Sequence, residues 1–133
     1  MVLALGLLAV SCGDKKVESD NPLLQTWDTP HGVPPFDKIK VEHYLPAYEE
    51  ALKEHNAEIE AIISNTDEPN FENTIAAYDR SGKLMRKISP VFGAVSGANT
   101  NEELLDLAKK ITPMTTKHYD NIRLNVDLFA KIK

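Results

Sequence analysis

Any chemistry in these 133 residues must come from the histidines, serines, carboxylates and single thiol. The histidines are His31, His43, His55 and His118. None stands in the pattern H-E-x-x-H, where two histidines one helical turn apart hold zinc and the glutamate serves as general base. No two lie four residues apart, the spacing that lets neighbouring turns of one helix share a metal. His55 precedes Glu58 by three positions, so both could face one side of a helix. A pair of this kind is read as a solvated or capping contact rather than a metal site. Ser81, Ser89 and Ser96 lack a nucleophile-elbow pattern, and Gly93 to Gly97 lacks the lysine of a phosphate loop. The helical carboxylates have no matched acid or base and read as a hydrated face. Cys12 has no second thiol for a disulfide or a cysteine-based zinc site. The residues themselves supply no catalytic group and no metal ligand.

Composition narrows the classes further. The chain is 42% hydrophobic and 26% charged, which argues against a disordered tail and against a polytopic membrane protein. The net charge is −5 with no dense basic stretch, so nucleic acid is not an expected partner. The acidic balance also disfavours a helical hairpin lying on a membrane. Aromatic residues make up 7%, thin for a chain that must complete a core alone.

The first residues, MVLALGLLAVSC, are too short an apolar run to span a bilayer, which takes roughly 20 residues. They suit the apolar region of a secretory signal. Ala9, Val10, Ser11 and Cys12, followed by a polar GDKKVESD, resemble a lipobox, in which cleavage leaves a lipidated cysteine. The expectation is a signal and lipobox over residues 1–12, with Cys12 as the lipid attachment and the bacterial cell envelope (periplasm or outer membrane) as the location. The run departs from an ordinary signal in having no Lys or Arg before it. A buried strand or helix with an incidental cysteine is the alternative. Residues 13–38 hold Pro22, Pro30, Pro34 and Pro35 and read as an extended tether. Leu23, Leu24 and Trp27 are nonetheless apolar enough to dock on the folded part.

Residues 39–133 carry helical periodicity. Val41, Tyr44, Leu45, Tyr48, Leu52, Ile59, Ile62 and Ile63 recur at three- and four-residue gaps, predicting a helix from about 41 to 63. Pro46 is close enough to the start to be tolerated in a first turn or to cause a kink, and the sequence SNTDEP after Ile63 is a turn. A second helix is predicted from Asn70 through Phe71, Ile75, Tyr78, Gly82, Met85 and Ile88, with a kink or break near Ser89 before Pro90. Gly97 is expected as a left-handed cap, with a Gly93–Gly97 small-residue contact as the alternative. Thr100 to Glu103 matches a capping box. The third helix then runs through Leu104, Leu107, Ala108 and Ile111, is interrupted at Thr112 and Pro113, and resumes at Tyr119 and Ile122. Asn125 caps a last helical turn bearing Leu128, Phe129 and Ile132. The predicted class is all-α, antiparallel helices joined by short turns. The short last helix suggests a chain interrupted within a domain.

Several pieces in a fixed order carry a resemblance: Pro34-Pro35-Phe36-Asp37, Glu42-His43-Tyr44, Phe71-Glu72-Asn73-Thr74-Ile75 and Ser81-Gly82. With the stretches around them, from Asn21 to Leu52, Asn70 to Leu104 and His118 to Lys133, they resemble the N-terminal segment of bacterial peptidyl-dipeptidases of the thimet-oligopeptidase family of zinc peptidases. The resemblance implies that these helices are the N-terminal part of a larger, mostly helical enzyme. That enzyme would take short unfolded peptides into a channel and release C-terminal dipeptides. It further implies a zinc cofactor held by an H-E-x-x-H helix and a following helix, none of which is in this sequence. These residues would then form a channel wall, probed by no metal of their own and inactive in isolation. A complete small lipid-anchored helical bundle that binds a partner without catalysis is the alternative.

Overall fold

The computed structural model describes residues 20–133. The apolar run over residues 1–12, with Cys12, and the first part of the proline-rich stretch lie outside the described residues. Every regular element among the described residues is helical, so the class is all-α.

Helix α1 (Tyr44–Ser64) is entered through a single 3-10 turn, Val41–His43. His43 Nδ1 accepts the Lys40 N–H at 3.0 Å. Pro46 sits in the first turn, where a missing N–H removes no helical hydrogen bond. The buried face of α1 is Tyr44, Ala47, Tyr48, Ala51, His55, Ile59 and Ile62. Tyr44, Tyr48, Ile59 and Ile62 are from the predicted stripe, whose Val41, Leu45, Leu52 and Ile63 are only partly buried, and Ala47, Ala51 and His55 join the buried face.

Beyond the turn, Asn70 starts the next segment. Its Oδ1 accepts the Glu72 and Asn73 N–H groups, each at 3.0 Å, and Asn73 Oδ1 accepts the Asn70 N–H at 2.8 Å. A π-helical turn (Phe71–Ala76) and a short helix α2 (Ala77–Arg80) follow. The chain then breaks at Ser81 and Gly82 before α3 (Lys83–Ala98). The single helix predicted across Gly82 is therefore two, because Gly82 takes the left-handed conformation, φ 69°.

Of the kink or break expected near Ser89, the break does not occur. Proline inside a helix costs about 3 kcal/mol, yet α3 continues through it. Pro90 faces outward while its neighbours Ile88 and Val91 are buried in the core, and that burial holds the helix together. Helix α4 (Glu102–Arg123) likewise runs through exposed Pro113, next to buried Ile111, so the interruption predicted there is absent.

Two end signals were also misplaced by one or two residues. Gly97 is helical rather than a left-handed cap, and α3 ends at Asn99. A Cβ built on Gly93 or Gly97 meets nothing within 4 Å, so no close helix neighbour uses them among the described residues. The cap of α4 is Asn101, whose Oδ1 accepts the Leu104 N–H at 2.9 Å. Thr100, expected in that role, instead donates its hydroxyl to the Ser96 carbonyl. Asn125 does cap α5 (Val126–Ile132), accepting the Asp127 and Leu128 N–H groups at 3.0 and 2.9 Å.

Packing fixes the helix directions. Tyr44 and Tyr48, early in α1, meet Phe92 late in α3, with ring centroids 5.1 and 5.9 Å apart. His55, further along α1, meets Ser81 just before α3, so the two helices are antiparallel. Leu107 and Ile111 join Tyr44 to Ala51, while Ile122 joins Ile59 and Ile62, so α4 runs parallel to α1. The core is therefore divided. A larger cluster holds Tyr44, Tyr48, Met85, Ile88, Val91, Leu107 and Ile111, and a smaller one holds Ile59, Ile62, Ile122 and Leu128.

The segment 21–27 lies against this bundle. Leu23 is fully buried in the larger cluster, with Leu24 and Trp27 packed beside it. Asn21 Nδ2 donates to the His43 carbonyl at 2.7 Å, and Trp27 Nε1 donates to the Pro22 carbonyl at 2.9 Å. Lys87 places its ammonium 4.4 Å from the Trp27 ring centroid. Leu23→Ala is expected to lower unfolding free energy by about 2–5 kcal/mol, the range for removing a core leucine. Urea denaturation measures it. A loss under about 0.5 kcal/mol, typical of surface sites, would mean the segment does not pack as described.

Candidate functional site

A buried convergence of polar side chains lies between the two apolar clusters, where α1, α4 and the break before α3 meet. In α1 the apolar stripe has a gap between Leu52 and Ile59, and His55 fills it. In α4 the gap between Ile111 and Ile122 is filled by His118. Each histidine is only 6% exposed. His118 Nε2 lies 2.9 Å from His55 Nδ1, although the residues are 63 positions apart. Their ring centroids are 4.8 Å apart.

The remaining contacts give this network one direction. Ser81 Oγ donates to the Tyr78 carbonyl at 2.7 Å, which commits the hydroxyl proton. His55 Nε2, 3.2 Å from Ser81 Oγ, must then donate to it. A neutral His55 accordingly accepts through Nδ1 from the His118 Nε2–H. Ser81 and His55 form a serine–histidine contact, but with the imidazole as donor it cannot act as the base that activates the serine. Burial lowers the proton affinity of His55, which the Glu58 carboxylate opposes and Arg86 reinforces. Burial also lowers that of His118, with the nearness of His55 adding to it.

Gly82 closes one side of this layer. A Cβ there would lie 2.9 Å from His55 Cε1 and 3.0 Å from its Nδ1. Both the left-handed backbone and the lack of space therefore call for glycine. Glu58 Oε2 accepts the Gly82 N–H at 2.6 Å, placing a carboxylate at the positive end of α3. Arg86 donates to the Ser81 carbonyl from the first turn of α3. His55 and Glu58 thus share a helix face as their spacing suggested, but each serves the Ser81–Gly82 bend and they do not form a chelate.

The other sites named from the sequence are scattered. His31 is exposed in the turn Pro30–Gly32, and His43 caps the entry to α1. Ser89 and Ser96 lie on α3, away from the histidine pair. Cys12 lies outside the described residues. Sequence reasoning missed the meeting of His55 with His118. The signal available was a polar residue standing in the gap of each apolar stripe.

An open concavity of about 610 Å³ lies beside the lower end of α1, lined by Glu58, Asn65, Asp67, Asn70, Glu72 and Arg80 among others. Arg80 and Glu72 pair across it at 2.8 Å, both largely exposed, a contact that contributes little to stability. Among the described residues, no three His, Cys, Asp or Glu side chains are grouped so as to hold a metal ion.

No family model matches the chain. It is 39% identical over 114 residues to a dipeptidyl carboxypeptidase of Salmonella typhimurium, covering 86% of this chain and 17% of that protein. It is 38% identical over 112 residues to the dipeptidyl carboxypeptidase of Escherichia coli, covering 84% of this chain and 16% of that one. Oligopeptidase A of Salmonella typhimurium is 24% identical over 98 residues, covering 74% of this chain and 14% of that protein. These matches establish the resemblance to peptidyl-dipeptidases of the thimet-oligopeptidase family, and the chain spans less than a fifth of those relatives' length.

Gly82→Ala is expected to destabilise the protein by more than the 1–2 kcal/mol or so of a left-handed alanine, since His55 must also move. Gly93→Ala, in a helix with open space, is expected to stabilise by about 0.5–1 kcal/mol. Thermal unfolding of the two variants checks the pair. Equal effects would mean that neither the backbone of Gly82 nor its approach to His55 matters.

Proposed function

We propose, from a likeness to dipeptidyl carboxypeptidases that spans most of the chain, that these residues are the non-catalytic helical wall of a larger zinc peptidase. Such an enzyme would hydrolyse short unfolded peptides and release dipeptides from their C-terminal ends. The observation that carries this reading is the identity of 39% over 86% of the chain to a protein whose name states that activity.

The internal chemistry supports a wall rather than a catalytic centre. The buried serine–histidine contact has its protons committed to structural hydrogen bonds. Zinc, when bound in such enzymes, polarises the scissile carbonyl and activates water. The described residues do not fit that role, because the two buried histidines point at each other and no third ligand joins them. The metal would be held by residues of the enzyme beyond this segment.

Apolar surface agrees with a wall that meets further structure. Phe71, Leu124, Val126 and Phe129 are 64–79% exposed and lie on the π-helical turn, α5 and the link before it. We also propose that Cys12 is lipidated and tethers the protein in the bacterial cell envelope, as its lipobox-like setting suggests.

The purified 133-residue chain is expected to bind no stoichiometric zinc and to release no dipeptide from a blocked tetrapeptide. Metal analysis and chromatography of the digest measure both, and zinc with cleavage by the chain alone would contradict the proposal. The genomic reading frame is expected to supply H-E-x-x-H downstream of the Lys133 codon, and a stop codon there would favour the small binding bundle. Labelled palmitate is expected to be incorporated in a bacterial host and lost in Cys12→Ser. Incorporation that persists in that variant would remove the lipid assignment.

A further inference from the structure

The histidine layer does more than fill a gap between two clusters. It is the polar contact at the middle of the α1–α4 seam, with apolar packing above it at Leu107 and Ile111 and below it at Ile122. His55 is held between Gly82, Ser81 and His118. Two imidazole nitrogens 2.9 Å apart have room for one proton between them. If both rings carry charge, each of these nitrogens bears a hydrogen and the contact becomes repulsive.

We propose that the His55–His118 contact is a proton-operated latch that fastens α4 to α1 when both rings are neutral and releases α4 when the pair takes up protons. The groups that face it come from each element packed around it. Glu58 on α1 favours the charged form, and Arg86 on α3 opposes it. On α4, the Tyr119 ring lies 6.1 Å from His55 and 5.5 Å from His118, and it carries the Arg123 guanidinium 5.8 Å from its centroid. The end of α2 supplies the uncharged Tyr78 carbonyl and Ser81 hydroxyl.

The sign follows from burial. Both rings bind protons less readily in the closed form than in water. The opened form, with rings hydrated, binds them at the ordinary imidazole value near 6.5. The latch is therefore at full strength above that value and is lost as pH falls through it towards the lowered values of the pair.

The test uses the unmodified protein. Its histidine rings are followed by nitrogen NMR, and its backbone amides by hydrogen exchange, between about pH 7.5 and pH 5. The two rings are expected to remain neutral below the ordinary imidazole value. Protection of α4 amides, corrected for intrinsic exchange, should fall about tenfold per pH unit for each proton taken up on opening. Protection in α3 should hold over the same range. In His118→Gln, which can still donate to His55 but takes up no proton, the acid sensitivity of α4 should shrink. Rings that titrate normally while α4 stays protected would overturn the latch. Equal loss of protection in α3 and α4, or undiminished acid sensitivity in His118→Gln, would overturn it as well. Should that variant fail to fold, the ring and amide measurements on the unmodified protein decide the matter.

Discussion

The close approach of the His55 ring to the backbone of Gly82 is the constraint on which the rest of the bundle depends. It leaves no room for a side chain at Gly82, whose backbone is left-handed, and the chain turns out of α2 at this point. The turn sends α3 back along α1, where Met85, Ile88 and Val91 complete the larger cluster. Glu58 and Arg86 secure the bend from opposite sides by bonding the Gly82 N–H and the Ser81 carbonyl. A polar residue on the apolar face of α1 thereby sets the path of a helix that begins 28 positions later, at Lys83.

The same histidine divides the core. Above it, tyrosines and aliphatic side chains from α1, α3, α4 and the segment around Leu23 form the larger cluster. Below it, three isoleucines and Leu128 form a smaller one. Burying two imidazoles between them is tolerable because they satisfy one another and Ser81 completes the chain of donors and acceptors. The lower end is also where large apolar side chains remain in water, Phe71 and Phe129 among them.

Features governed by local chemistry were legible from the residues. The stripes of α1 and α4, the turn after Ser64, the asparagine cap at Asn125 and the place of Pro46 in a first turn all follow from contacts within a few positions. Pro90 and Pro113 were read by the same local rule and the rule lost. In each case neighbouring side chains are buried on the opposite side of the helix, and that packing outweighs a single missing donor. Thr100 and Gly97 show a milder form of the same failure. Asn101 stands beside Thr100 and takes the N-cap of α4, while α3 passes through Gly97 and is capped at Asn99 without a left-handed residue.

By itself, then, the sequence determined an all-helical chain, the buried side of its main helices and a likeness to peptidyl-dipeptidases. Each of these is written in periodicity or in ordered short motifs. Only the tertiary structure decided that α2 and α3 part at Gly82 and that His55 meets His118. Those outcomes depend on groups that are 26 to 63 positions apart in the chain and adjacent in space. Their energies arise only when the helices are brought together, and no local pattern encodes them.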